Sequence, residues 1–306
     1  MSGLLFRLLL WAALCSGASL EAAEAFRIAQ YNIENYLDEP TSTRPVKSEA
    51  AKAKVREGIL ALKPDVIALE EVGGTNALLE MRDSLKLAGL DLPFWEHVTG
   101  FDTNIHVAIL SRFEITARRP HTNDSFLLSG KRFRVSRGFA EVDVQVSSKY
   151  SFTMIVAHLK SRRTIAAADE AELRLEEAKV LREIIDARLA ARPTGNLVVL
   201  GDFNDSPDSQ PIRTILGGRG KKGLIDTRPA ERNGDTLEPG DRRLTSRQIT
   251  WTHFYSKEDA FTRIDYILLN QAMAKAWEPG QTYILTRPDW GLASDHRPLV
   301  AGFVVD

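Results

Sequence analysis

The stretch VVLGDFNDSP, from Val198 to Pro207, runs an apolar strand into an abrupt polar end at Gly201, Asp202, Asn204 and Asp205. A carboxylate and an amide two residues apart at a strand end suit hydrolysis. Asp202 can take a proton from a water while Asn204 orients that water or an anionic oxygen. The same string also reads as a plain Asx-turn that ends a strand and carries no chemistry. The rest of the chain decides between the two.

Four further polar clusters sit on short apolar runs: YNIENY at 31–36, VIALEEV at 66–72, VAHLKSR at 156–162 and RIDYILLN at 263–270, with SDHRPL following at 294–299. In this order and spacing they resemble the endonuclease/exonuclease/phosphatase superfamily, metal-dependent phosphoesterases that include DNase I-like nucleases, sphingomyelinases and inositol polyphosphate 5-phosphatases. The resemblance extends from about Phe26 through the last motif and beyond. It implies an α/β fold, a four-layer α/β/β/α sandwich with two mixed sheets.

Periodicity by itself gives mixed α/β. Phe26 to Asn32 reads as a strand, Lys47 to Lys63 as a helix with Val55, Ile59 and Leu62 at helical spacing, and Val66 to Leu69 as a strand after Pro64. Thr75 to Leu87 is a second helix, with Thr75 as its cap and Gly89 beyond its end. Strands are expected at Val107–Leu110, Ala140–Val146, Phe152–Ala157, Leu197–Leu200, Ile264–Leu269 and Leu299–Val304, and a long helix at Ala166–Leu189. Val142, Val144 and Val146 alternate with Glu141, Asp143 and Gln145, which predicts one buried and one wet face. The Gly- and charge-rich stretch from Gly217 to Gln248 reads as one or two surface loops near the site mouth. Gly218, Gly220 and Gly223 match G-x-G-x-x-G but follow a helix rather than a strand, so they are not read as a nucleotide loop.

Composition places the chain among soluble globular proteins: 306 residues, 43% hydrophobic and 26% charged, with no Pro/Ser-rich linker. Arg7, the apolar run Leu8 to Leu14 and the small residues after it read as a secretory signal over 1–25, with Ala23-Glu24-Ala25 or Ser16-Gly17-Ala18 before cleavage. That leaves one domain over 26–306 and predicts a secreted or periplasmic protein. The run is too short to span a bilayer, and a buried N-terminal helix is the alternative reading. Cys15 is the only cysteine, so a processed chain has none and needs no disulfide.

Loss of one basic residue, Arg7, and two acidic ones, Glu21 and Glu24, from totals of 40 and 41 leaves the remainder formally neutral. Overall charge therefore gives no support for nucleic acid binding. Local charge is less even: Arg112, Arg118, Arg119, Lys131, Arg132, Arg134 and Arg137 are answered only by Glu114 and Asp124. This interval reads either as a guide for a phosphate-rich substrate or as a solvated basic face. No base-stacking aromatic stripe is evident; Trp95, Phe101 and Trp290 are the aromatics a lipid would meet, His106 and Trp251 are weaker candidates for the substrate rim, and no long apolar hairpin supports stable membrane insertion.

The resemblance assigns roles position by position. Glu71, the second acid of LEEV, matches the family's metal ligand, while strand alternation turns Glu70 away as a structural or rim group. Asn32 and Asp295 match an amide and a carboxylate near the same ion. This oxygen-only set suits Mg2+, with Mn2+ as a substitute. Asp202 is the candidate general base, Asn204 the orienting amide, and Asp265 the partner that keeps His296 protonated. His158 is a donor to the phosphate or leaving group. Asn35, Lys160, Arg162 and Arg137 are candidate substrate contacts, with solvent-facing charge as the alternative for the cations. Asp205 reads as a turn cap. The function expected is a Mg2+-dependent phosphodiester hydrolase acting on DNA or RNA. The alternatives are a phospholipid or small phosphomonoester phosphatase and, more remotely, a binding protein on the same scaffold. Nothing in the sequence demands a dimer, so a monomer is expected.

Overall fold

The computed structural model describes residues 23–218, 220, 222–232 and 248–305. The expected signal segment lies outside these residues except for its last three, and the first strand already begins at Glu24. Much of the expected 217–248 loop also lies outside them.

The first third contributes β1 (Glu24–Tyr36), α1 (Glu49–Leu62), β2 (Val66–Val72), α2 (Thr75–Leu87), β3 (Phe94–Val98) and β4 (His106–Ser111). Next come β5 (Glu114–Arg118), β6 (Ser125–Leu128), β7 (Lys131–Arg134), β8 (Phe139–Gln145), β9 (Ser151–Ala157), α3 (Glu170–Ala191) and β10 (Asn196–Asp202). The last third adds α4 (Gln210–Leu216), β11 (Ile225–Asp226), β12 (His253–Tyr255), β13 (Ala260–Thr262), β14 (Asp265–Leu269), β15 (Trp277–Ile284) and β16 (Leu299–Val305).

Two six-stranded sheets form, in the orders β15-β16-β1-β2-β4-β3 and β11-β14-β10-β9-β8-β5. Each is mixed, because β1 runs parallel to β2 and β9 parallel to β10 while the other pairs are antiparallel. Side chains at alternate positions divide between two faces. Ile28, Val66, Ala68, Val107 and Ile109 of one sheet meet Val142, Val144, Met154, Val198 and Leu200 of the other in the central core. The outer face of the first sheet is covered by α1 and α2 through Val55, Ile59, Leu78 and Met81, and that of the second by α3 and α4 through Leu181, Ile185 and Ile212. The result is the expected four-layer α/β/β/α sandwich.

Local chemistry explains the boundaries. Ser48 caps α1 by accepting from Ala51 N, and Lys63 ends it in the left-handed region. α2 begins at Thr75 as expected, but Gly74, not Thr75, holds the cap position and no side chain caps it. The outer face of β8 is wet only in part: Asp143 and Gln145 are partly exposed, but Glu141 is buried and bound by Arg119 at 2.6 Å, His121 at 2.9 Å and Arg188 from α3. A charged strand face is thus covered by a helix that carries the counter-charge. Ile225–Asp226 adds an edge strand beside β14 within the stretch expected to be loop.

The basic interval does not form one surface. Arg112 pairs with Asp65, Arg118 with Glu96, and Arg119 with Glu141 and Asp143, so those three charges are spent on structure. Arg134, stacked over Phe101, and Arg137 lie toward the loop that carries Asp102.

Candidate active site

The polar motifs meet where strands of both sheets end. Asn32 and Glu71 lie at the C-terminal ends of β1 and β2, Asp202 ends β10, and His158 follows β9. Asp265 opens β14 opposite Asp202 in the antiparallel ladder, and His296 precedes β16, bridged to His253. Gly201 permits this approach: a Cβ there would lie 1.9 Å from Ala157 O, and its φ of 141° suits only glycine.

Asp202 is the hub. Its Oδ2 accepts from Asn32 Nδ2 at 3.0 Å and Asn204 Nδ2 at 3.3 Å, and its Oδ1 from Asn204 N at 2.9 Å. Asn204 itself is held in the left-handed region at φ 56° and ties its amide to Leu159 O at 3.0 Å. His158 Nε2 stands 3.4 Å and His296 Nε2 3.7 Å from Asp202 Oδ2. Burial, reinforced by Asp265, pushes the Asp202 carboxyl up to about 6.

His296 and Asp265 form a buried charged pair, Nδ1 to Oδ2 at 2.9 Å. Burial opposes the imidazolium, but Asp265 and Asp202 outweigh it and raise the His296 pKa well above its ordinary value. Asp265 also accepts from Thr252 Oγ1 at 2.6 Å and Gln30 Nε2 at 2.8 Å. Gln30 shares that amide with Glu70, which is fully buried and, through burial and the nearby Asp265 and Asp202, held well above the usual carboxylate range. Glu70 is thus the structural acid of the LEEV pair, not a rim group. His158 has the reverse environment of His296. Burial, then the Arg137 and His296 cations, push it well below its ordinary value, so it is a neutral donor at Nε2 rather than an acid, and Nδ1 is buried without a partner among the described residues.

Glu71 reaches the rim through a bulge. The β2–β4 register shifts between Glu70 and Val72, and Glu71 takes φ 62°. Its Oε2 accepts from Asn35 N at 3.1 Å and Arg44 at 3.2 Å, and Arg44 also binds Asn35 Oδ1. Asn35 is therefore committed to this turn. Two acid/imidazole clusters converge within 4.8 Å, Asp202–Asp265–His296 and His253–Asp295–His296, and Glu71 belongs to neither. It is linked to them through Glu34, whose pKa burial raises, followed by Asp295 and, beyond the opposing Lys47, Glu71.

The candidate cations differ in availability. Lys160 turns its ammonium onto Ser161 O at 3.0 Å and Arg163 O at 2.7 Å, which favours a loop-closing role. Arg162 is half-exposed, 3.6 Å from Asp205. Arg137 is buried, donating to Leu159 O at 3.1 Å; its Nε lies 3.8 Å from Asp102 and makes no hydrogen bond among the described residues. Asp205 accepts from Ser206 N and binds Arg174, in keeping with a turn cap.

Gln30, Thr252, Ser294 and Arg44 were not singled out from the sequence. Gln30 had a signal, a polar residue two positions before Asn32 on an otherwise apolar strand face. Ser294, which donates to Asn32 O at 2.8 Å and accepts from His296 N at 3.0 Å, lies inside the SDH motif. Thr252 and Arg44 act across turns that no pattern announces.

The model of the Endonuclease/Exonuclease/phosphatase family matches residues 29–296, which include every residue of both clusters. The chain belongs to the endonuclease/exonuclease/phosphatase family. It is therefore a phosphoesterase of a superfamily that generally depends on a divalent metal. No curated protein sequence matches it. Solved structures share the fold at low identity. Truncated TDP2 of Caenorhabditis elegans aligns with TM-score 0.59 and 15% identity over 91% of this chain and 97% of that one. The 3' phosphatase NExo from Neisseria, bound to a product DNA hairpin, gives 0.56 and 20% over 91% and 99%. Sphingomyelinase C from Streptomyces griseocarneus gives 0.57 and 17% over 92% and 99%.

Proposed function

We propose that this protein is a secreted or periplasmic phosphodiester hydrolase that uses Mg2+, with Mn2+ as a substitute, and cleaves DNA or RNA as a monomer. The observation that carries the chemistry is the pairing of a buried base with a buried cation: Asp202, raised to about 6, lies 3.7 Å from the His296 imidazolium. A carboxylate at a strand end, fixed by two asparagine amides, takes the proton of a water and aims it. The His296 cation stands where charge grows on the phosphoryl oxygens, and neutral His158 adds a hydrogen-bond donor. Asp265, Thr252 and Gln30 keep His296 charged and oriented without touching substrate.

The donor set fits a hard divalent cation. Glu71, Asp295 and Asn32 offer only oxygen, and the carboxylates of Glu71 and Asp295 both act on Glu34. These three residues would hold the ion, which when bound supplies Lewis-acid polarisation of the phosphate and neutralises the leaving oxygen. Arg44 and Lys47 balance the carboxylate charge of this rim; Lys47 lies 3.6 Å from Glu34. Arg162, half-exposed beside Asp205, is the group available to meet a flanking phosphate.

A nucleic acid substrate is supported by the arginines beside His158 and by family membership. The test is digestion of plasmid DNA and of RNA by purified protein with Mg2+ and with EDTA. Cleavage abolished by EDTA is expected. Intact nucleic acid across a wide enzyme range, alongside turnover of sphingomyelin or inositol phosphates, would move the assignment to a lipid or small-ester phosphatase. No helix among the described residues is long and apolar enough to cross a membrane.

A further inference from the structure

A cluster of partly exposed aromatic rings flanks the site. The β12–β13 hairpin and the turn at Trp290–Leu292 bring four together: Trp251 meets Phe261 at 4.9 Å and Trp290 at 5.2 Å, and Phe254 stacks on Phe261 at 4.5 Å. Phe254, Tyr255 and Trp290 line a groove of about 530 Å³ whose inner end is Glu34 and Asp295. This volume is in the range of small-molecule sites, about 300–1,000 Å³.

The groove is fastened to the catalytic centre. Phe254 N donates to Asp295 O at 2.9 Å, and the His253 and His296 rings lie 4.6 Å apart. His296 Nε2 has two carboxylates near it, Asp202 at 3.7 Å and Asp295 at 3.9 Å. A phosphate bound at His296 with its attacking water at Asp202 leaves the Asp295 side, where the groove begins, for its other substituents.

We propose that this groove is the subsite for an unstacked nucleobase on the leaving side of the scissile phosphate. The inference rests on the nuclease reading and narrows it to single-stranded or frayed nucleic acid, because a base stacked within a duplex cannot lay its face on Phe254, Tyr255 or Trp290. The lining carries three carboxylates, Glu34, Asp289 and Asp295, and one ammonium, Lys257, so the aromatic faces and not the net charge carry the preference for a nucleobase. The inner carboxylates are already answered, Glu34 by Lys47 at 3.6 Å and Asp295 by His253 at 3.6 Å and His296. Lys257, at the groove edge, supplies a cation for the next phosphate of a strand.

The experiment uses the full chain with Mg2+ and short single-stranded oligonucleotides that carry, on the leaving side of one cleavable bond, either a base or an abasic tetrahydrofuran. Sphingomyelin and bis(p-nitrophenyl) phosphate are run beside them. Stacking predicts that kcat/KM favours the base-bearing strand by about 5- to 150-fold. The ratio should fall below about three-fold in Trp290→Ala and in the exposed-site variant Tyr255→Ala, and persist in Leu127→Ala, whose side chain is exposed on β6. Equal cleavage of both strands by the native chain, or a ratio that survives in both groove variants, overturns the subsite and leaves the nuclease reading standing. Hydrolysis of bis(p-nitrophenyl) phosphate with no oligonucleotide cleavage overturns both. Faster turnover of the choline-bearing lipid assigns the groove to a quaternary ammonium instead.

Discussion

Replacing Asp265 with asparagine keeps its shape and removes its charge from a site that is fully buried. Three donors converge on the two Asp265 oxygens: Gln30 at 2.8 Å, Thr252 at 2.6 Å and His296 at 2.9 Å. Asparagine offers one acceptor and turns an NH2 toward another donor, so at least one of these bonds is lost. The larger effect falls on His296. A charge pair at about 4 Å in an effective dielectric of about 20 is worth roughly 4 kcal/mol, or about three pKa units at 1.36 kcal/mol each. Asp202 and Asp295 remain but stand further off. In Asp265→Asn the His296 imidazole should titrate at least two units lower by NMR in metal-free protein. Loss of a preorganised cation at the phosphate should cut kcat by about 10²–10³ on bis(p-nitrophenyl) phosphate. Urea unfolding should show a loss of about 3–5 kcal/mol, the cost of breaking a buried pair. An unmoved His296 titration together with kcat within three-fold of native would refute the role given to this pair.

Other expectations follow from single positions. Gly201→Ala places a Cβ 1.9 Å from Ala157 O at φ 141°, and the melting temperature should fall by 10 °C or more, if soluble protein is obtained at all; an unchanged melt contradicts the close approach. His106 is held down to about 4 by burial, then by His97, so it stays neutral in the fold while the unfolded chain takes up a proton near 6.5. Its contribution is complete above pH 6.5 and is lost as pH falls toward 4, by up to about 3 kcal/mol. His106→Gln should flatten the urea midpoint over that window, and an equal slope in both proteins refutes this. Glu71→Gln should weaken Mg2+ or Mn2+ binding by at least ten-fold in calorimetry, whereas native affinity would remove Glu71 from the ion's shell.

Much of the sandwich was legible because its central strands are apolar runs closed by polar ends, and its helices carry clear period and caps. The short strands were not. β6, β7, β12 and β13 span three or four half-exposed residues each, too few for a period to show. The aromatic cluster was legible only as isolated rings, Trp251 and Trp290, since Phe254, Phe261 and Trp290 meet only once a hairpin and a distant turn pack together. The motif residues converge because each lies toward or just beyond one end of a strand, which sequence can mark. The bulge that lifts Glu71 out of alternation, and the pairing that spends Arg112, Arg118 and Arg119 away from the site, depend on neighbours in other strands. Glu141 misled for a related reason: a charged strand face looks wet unless the arginines of the covering helix are known.

The most direct test is hydrolysis of bis(p-nitrophenyl) phosphate against p-nitrophenyl phosphate by purified protein with and without Mg2+, beside Asp202→Ala. The account predicts diester turnover that requires the metal and falls at least 10³-fold in the variant while its melting curve stays cooperative. Native-level diester turnover in Asp202→Ala, or turnover indifferent to EDTA, would contradict it.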